Sequence, residues 1–252
     1  MLTTQRKQLL LSRLKRDGQF IAKLFSEELG ISEDTVRRDL RELAAEGLLQ
    51  RVHGGALPAS AAVGDMRVRA QLAPDDKRSL GRAGAALVQP GQVVILDGGT
   101  TSLQVVRHLP MDLKITVVTH SPTIAVALAE HHNIEVLMLG GRLFRHSMVN
   151  VGASVTEAAA RLRADLYLMG VTGVHAEAGL TTGDFEEAAV KRVLHERAAE
   201  TVVLATLDKL GAASPYTVAP LTELAALVVP STIPASMRKR LIAAGAKLVR
   251  AD

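Results

Sequence analysis

The sequence predicts an α/β domain built on a parallel-rich sheet and preceded by a small winged helix-turn-helix. Three observations carry this. Residues 32–57, SEDTVRRDLRELAAEGLLQRVHGGAL, read as a capped amphipathic helix, a glycine stop and a short strand entering a Gly-Gly turn. After Gly91 the chain alternates short runs of Val, Ile and Leu with stretches of helical character. Between the two regions, from Pro58 to about Pro74, composition shifts to Ala, Gly, Ser and Pro and no period survives.

Taken in order, Thr3 or Thr4 is placed to cap a first helix in which Leu9, Leu10 and Leu14 recur at helical spacing, and Asp17-Gly18 ends it. A second short helix, about 21–29, leads through Gly30, whose freedom permits a sharp turn, into a third. The helix-turn-helix motif covers about 20–39. The third helix is expected over 32–46, with Ser32 as N-cap and Glu33 and Asp34 at the positive end of the helix. Thr35 stands where a full capping box has Glu or Gln. At about 100° per residue, Val36, Leu40 and Leu43 share one face, Arg38 and Arg41 point nearly opposite, and Arg37 flanks them. One stripe packs, and the other is free to meet phosphates and base edges. Gly47 suits a C-cap, and 48–52 with Gly54-Gly55 reads as a wing. The expected DNA contacts are Ser32, Thr35, Arg37, Arg38 and Arg41, with Arg51 and His53 on the wing.

A chain of 252 residues with 48% hydrophobic content fits a 1–57 DNA-binding domain, a 58–75 linker and a 76–252 effector domain. There is no cysteine, which excludes disulfides and thiolate metal sites; no apolar run reaches 18 residues, and MLTTQRKQ has no signal-peptide core. A soluble cytoplasmic protein is expected, with no membrane partner. The net charge of +4 divides as 10 basic against 8 acidic residues up to Leu57 and 20 against 18 after it, so bulk charge identifies no partner. Aromatic residues are 2%, too few for the stacking platforms of single-strand binders, so duplex is the expected nucleic acid.

In the second region VVILD, ITVVTH, IEVLMLGG, DLYLMGVTG, TVVLATLDK, LAALVV and AKLVR read as buried strands. Helices are expected after Ser121-Pro122, over 186–199 and from Pro234, and this alternation gives a parallel sheet covered on both faces. Ligands of such sheets lie beyond the carboxyl ends of the strands. Polar residues cluster there: Asp97 with Gly98-Gly99-Thr100-Thr101, then Thr119, His120 and Ser121, then Gly140, Gly141 and Arg142, then Asp208 and Lys209. Gly98 to Thr101 suits an anion, because glycines let the backbone approach, the next N–H groups point outward at a helix start and two hydroxyls add donors. In the helix over 186–199, Ala189, Val193 and Leu194 are expected to face inward, with Glu187 and Lys191 an ordinary i,i+4 pair and with Glu186 or Glu187, near the helix start, within reach of the pocket. Lys77 reads as part of a solvent-exposed helix start. His131, His132 and His146 show no metal spacing with carboxylates, so neither metal nor cofactor is expected.

VRRDLRELAAEGLLQRVHGGA resembles the N-terminal signature of the DeoR (deoxyribose operon repressor) family of bacterial transcription regulators. DGGTT, VVTHS, LGGRLF, GLTTGDFEEAAVKR and the strand before Lys209 resemble that family's C-terminal sensor domain. The resemblance implies a recognition helix that enters the major groove of double-stranded operator DNA. It also implies a sensor fold similar to ribose-5-phosphate isomerase, with a phosphorylated sugar or sugar-derived effector. Carried over by position, Asp97 holds sugar hydroxyls, Gly99, Thr100 and Thr101 the phosphate, Thr119 a second polar wall and Lys209 a cationic contact. Gly98, Gly141, Arg142 and His120 complete the expected set. The family usually has Asn where this chain has His120, and Asp-x-Ser-Lys where it has Thr206-Leu207-Asp208-Lys209. An imidazole is bulkier than an amide and titrates near neutrality.

The expected function is a DNA-binding repressor of a carbohydrate-metabolism operon, released by its effector and working as a homodimer or higher homo-oligomer. Two alternatives stay open. One is a sugar-phosphate-isomerase-like enzyme recruiting Asp97, Asp208, Glu187 and Lys209, although an enzyme has no use for residues 1–57. The other is a constitutive DNA-binding oligomer without effector.

Overall fold

The apolar residues that recur at helical spacing near the N-terminus meet in one small core, where Leu10, Leu14, Phe25, Val36, Leu40 and Leu43 are at most 2% exposed. A computed structural model, which describes residues 2–59 and 66–252, builds this head from α1 (Thr3–Asp17), β1 (Phe20–Ile21), α2 (Ala22–Leu29), α3 (Glu33–Ala45), β2 (Leu49–Val52) and β3 (Gly55–Pro58). The strands pair antiparallel in the order β1-β3-β2. Two glycines make the wing turn for different reasons. Gly54 sits at φ +75°, and a Cβ on Gly55 would lie 1.7 Å from the Phe20 carbonyl oxygen. Neither Thr3 nor Thr4 caps α1: the N-cap is Leu2, whose N–H donates to Gln5 Oε1 at 3.3 Å, so the helix begins earlier than its hydroxyls suggest. Ser32 does cap α3, accepting from the Thr35 N–H at 3.2 Å, and the two hydroxyls lie 2.9 Å apart. Buried Asp39 accepts two bonds from Arg6, at 2.5 and 3.0 Å, which locks α3 onto α1.

The second domain comprises α4 (Met66–Gln71), α5 (Pro74–Ala86), β4 (Val93–Leu96), α6 (Thr100–His108), β5 (Ile115–Thr119), α7 (Pro122–Ala127), β6 (Ile134–Met138), β7 (Arg142–Phe144) and β8 (Val149–Val151). It continues with α8 (Ala153–Ala159), β9 (Ala164–Met169), β10 (Gly173–His175), β11 (Gly179–Thr182), α9 (Phe185–Glu196), β12 (Ala198–Leu204), β13 (Tyr216–Ala219), β14 (Ala226–Pro230), α10 (Ala235–Ala243) and β15 (Leu248–Ala251). Part of the stretch expected as linker is therefore helix. Six residues, MRVRAQ, are too few to show a period in sequence. Residues 60–65 of that stretch lie outside the described residues.

Seven strands form one parallel sheet in the order β15-β14-β12-β9-β4-β5-β6. Alternate residues of each strand feed the two covering layers: Ile95, Tyr167 and Val203 face the α8 and α9 side, while Leu96, Leu168 and Leu204 face α5 and α6. The chain runs from β4 outward to β6, then returns to the other side of β4 to lay down β9 and its successors. The order reverses between β4 and β9, which opens a crevice at their carboxyl ends. Helix α9 ends at Glu196 because β12 pairs with β9 from Ala198 onward. Its inward face is also rotated from the expected one. Glu187, Ala188, Val190, Lys191 and Leu194 are buried, whereas Ala189 and Val193 are only partly so.

Candidate effector cavity and DNA-facing helix

On the head, the face of α3 opposite Val36, Leu40 and Leu43 carries Arg37, Arg38 and Arg41, all exposed. They are not equivalent. Arg37 is held by Glu33 at 2.9 Å and lies 3.8 Å from Asp34. Arg38 and Arg41 make no ion pair or side-chain hydrogen bond among the described residues, and neither does Arg51 on β2. His53 is exposed in the wing turn, while the hydroxyls of Ser32 and Thr35 are already used by the cap. Arg38 and Arg41 on α3 and Arg51 on β2 are thus exposed cations without a partner among the described residues.

In the second domain a crevice opens at the reversal point, lined by 98–102, by 168–172 at the end of β9, by Leu204 at the end of β12 and by Thr206, Asp208 and Lys209 beyond it. Gly99, at φ +121°, is the N-cap of α6, and its backbone turn presents the free N–H groups of the first helical turn to the cavity. Thr101 and Thr206 are at most 6% exposed, and their hydroxyls have no hydrogen-bond partner among the described residues. Lys209 has no carboxylate within 4.0 Å of its ammonium among the described residues, and burial, opposed by Asp208, lowers its pKa from 10.5 to about 8. Arg69 and Lys77 line the same cavity; Arg69 donates to the His146 carbonyl at 3.0 Å, and Lys77 donates to the Arg69 carbonyl. Buried hydroxyls, helix N–H groups and four cationic side chains, Arg69, Lys77, Lys191 and Lys209, around one crevice are a donor set for a multiply charged oxyanion.

Beneath this cavity lies a buried charge network that sequence patterns did not disclose. Asp97, fully buried, accepts from the Gly98 N–H at 2.7 Å, the Tyr167 hydroxyl at 2.9 Å, the Gly170 N–H at 2.9 Å and Lys191 Nζ at 2.5 Å. Lys191 in turn lies 3.4 Å from Glu187, which accepts from the Thr182 hydroxyl at 2.8 Å and the Ser147 hydroxyl at 3.4 Å. Burial alone raises a carboxyl pKa, but Lys191, His120 and the hydrogen bonds outweigh it at Asp97, which titrates below the usual carboxylate range. Burial likewise depresses the Lys191 ammonium, and Asp97 with Glu187 more than restores it. The phenol of Tyr167 is pushed up by burial and by Asp97.

The remaining expected residues fall away from the cavity wall. His120 is fully buried behind Asp97, its Nε2 3.4 Å from Oδ1, and both ring nitrogens lack hydrogen-bond partners. Burial, opposed by Asp97, lowers its pKa. The Thr119 hydroxyl accepts from the Ser121 N–H at 3.1 Å. A Cβ on Gly141 would lie 2.5 Å from Val155 Cγ2, so this glycine serves close packing. Arg142 is exposed and bound to Glu186. Cavity residues missed by sequence reasoning are Arg69, Lys77, Ser147, Thr172, Lys191 and Thr206, whereas Glu187, one of the two glutamates at the start of α9 expected within reach of the pocket, does line it. The i,i+4 spacing of Glu187 and Lys191 was visible, but not its burial.

Two family models match the chain: a DeoR-like helix-turn-helix domain over residues 6–61 and a DeoR C terminal sensor domain over 73–231. The chain is 36% identical to the HTH-type transcriptional regulator GlpR of Haloferax volcanii, covering 99% of this chain and 98% of that protein. It is 32% identical to the HTH-type transcriptional repressor GlcR of Bacillus subtilis over 87% of this chain and 85% of that protein. Among solved structures, a ribose 5-phosphate isomerase from Methanocaldococcus jannaschii aligns at TM-score 0.40 with 18% identity over 54% of each chain.

Proposed function

Because this chain belongs to the DeoR family of DNA-binding transcriptional regulators, we propose that it represses a carbohydrate-metabolism operon and leaves its operator when a phosphorylated sugar fills the cavity. The observation that carries the proposal is the grouping of a half-buried Lys209 with the hydroxyls of Thr101 and Thr206 at the N-terminus of α6, none of the three having a counter-ion or hydrogen-bond partner among the described residues. A phosphate dianion would satisfy all three together. Thr100, Gly98 and Gly99 lie in the same wall, and the proposed sugar sits against 169–172 and Ser147. Asp97 acts from below, holding Lys191 and the turn at Gly98 rather than touching the ligand. His120 and Thr119 support that floor.

On the DNA side we assign the sharpest contacts to Arg38 and Arg41 in a major groove, with Arg51 and His53 reaching the flanking backbone. Winged heads of this kind read two half-sites, so the working unit is a homodimer or larger. An enzymatic role is disfavoured because Asp97 is neutralised by Lys191 beneath the cavity and Glu187 is engaged by Thr182 and Lys191.

Thermal unfolding against ribose 5-phosphate, glucose 6-phosphate, fructose 1-phosphate and glycerol 3-phosphate, each beside its unphosphorylated form, tests the sensor. One phosphorylated member raises the midpoint by mass action and its partner does not. An unchanged midpoint across the panel at millimolar concentration contradicts the proposal.

A further inference from the structure

The segment 206–213, which leaves β12, touches both the effector cavity and the DNA-reading head. At its start, Thr206, Asp208 and Lys209 line the cavity. Asp208 also lines a second cleft, together with Leu210, Gly211 and Ala212, and the opposite wall of that cleft is the head: Leu14 and Gly18 at the end of α1, Leu48 before β2, and Pro58 and Ala59 at the end of β3. The segment is physically joined to the head. The Ala213 N–H donates to the Pro58 carbonyl at 3.1 Å, and Ala59 and Ala213 form a parallel bridge that continues the wing strand. A second tether is independent of it: Arg240 Nη1 on α10 donates to the Asp17 carbonyl at the end of α1, at 3.1 Å.

The interior of the segment is held tightly. The Gly211 N–H donates to the Val174 carbonyl at 2.8 Å; Gly211 lies at φ +78°, and a Cβ there would meet Met237 Cε at 2.8 Å. Its polar side chains, by contrast, are unsatisfied. Asp208 Oδ1 is buried without a hydrogen-bond partner among the described residues, and the Lys209 ammonium is unpaired. Three residues separate Lys209 from Ala213, so a displacement of the 3-10 turn Leu207–Lys209 has little chain in which to dissipate before it reaches the Pro58 carbonyl.

We propose that 206–213 is the strap that couples the two sites: a phosphate drawing Lys209 and Thr206 toward the cavity repositions the turn and draws Ala213 away from the Pro58 carbonyl, which changes the pose of the head. This rests on the sensor reading above and adds the route by which that site acts. Coupling requires that ligand and DNA favour different poses of the strap, which makes it measurable as the ratio of DNA affinities with and without ligand.

The chain has no cysteine, so the strap can be pinned by one engineered disulfide. In full-length Ala59→Cys/Ala213→Cys, the bridged positions are neighbours across paired backbone, within the reach of a disulfide. Binding to a duplex selected by this protein from a randomised pool is measured with and without the sugar phosphates of the panel above. The reduced protein responds as wild type does, with an affinity change in the range of about 5- to 150-fold. The oxidised protein keeps one affinity, changing less than about twofold, while sugar phosphate still raises its unfolding midpoint. An oxidised protein that releases DNA like the reduced one overturns the strap and leaves the sensor intact. No midpoint shift in wild type overturns the sensor reading, and the strap with it.

Discussion

Lys209→Met separates the cost of building the effector site from its benefit. The ammonium is unpaired and titrates near 8 instead of 10.5, so the empty protein carries a penalty for holding it charged. At about 1.4 kcal/mol per pH unit the ceiling is about 3 kcal/mol, and water at the cavity mouth screens part of it, leaving about 1–2 kcal/mol. The sign follows from proton counting. Between about 8 and 10.5 the unfolded chain binds the proton that the folded chain has released, so stability of the empty wild type rises with pH across that window and the penalty is constant below it. Methionine keeps the aliphatic bulk and removes the charge. We expect the variant to unfold several degrees higher than wild type near pH 7, to lose the stability rise above pH 8, and to gain nothing from any sugar phosphate. The assay is thermal unfolding from pH 7 to 10, with and without ligand. A variant less stable than wild type that still responds to sugar phosphate refutes the reasoning.

Three other substitutions probe separate parts of the account. Arg38→Ala is expected to weaken binding to the selected duplex by about 1–3 kcal/mol and to random duplex far less, by fluorescence anisotropy; equal losses on both assign Arg38 to the backbone instead. Arg37→Ala, whose side chain is already shared with Glu33, loses less than Arg38→Ala. Asp97→Ala leaves Lys191 buried without its closest counter-ion and is expected to cost about 3–5 kcal/mol in urea unfolding; a change below about 1 kcal/mol contradicts a structural role for the pair. Light scattering at micromolar concentration should give a dimer or larger species, and a monomer removes the paired-half-site model.

Much of this was legible in the sequence where the signal is local. The cap at Ser32, the apolar stripe of α3 and the Gly-Gly-Thr-Thr turn are fixed by neighbours a few residues away and stand where the sequence puts them, while the C-cap of α3 is Glu46, one residue before the left-handed Gly47. What failed to show was burial decided by distant chain. Glu187 and Lys191 have the spacing of a solvated helix pair, and only Asp97, which is 94 residues from Lys191 in sequence, turns that face inward. Lys77 looked like a surface residue until α4 packed beside it. His120 stands at a strand end as a ligand contact would, yet the strand places it under the cavity floor, behind Asp97. The first-helix cap was misassigned because a glutamine side chain can close a helix start as well as a hydroxyl does.

The most direct test of the central claim is a titration of the preformed complex between full-length protein and its selected duplex with the sugar phosphate that raises the unfolding midpoint, followed by anisotropy. The account predicts release of the duplex by at least about fivefold in affinity, abolished in Thr101→Val/Lys209→Met and absent with the unphosphorylated sugar. A complex that stays bound at saturating ligand would contradict it.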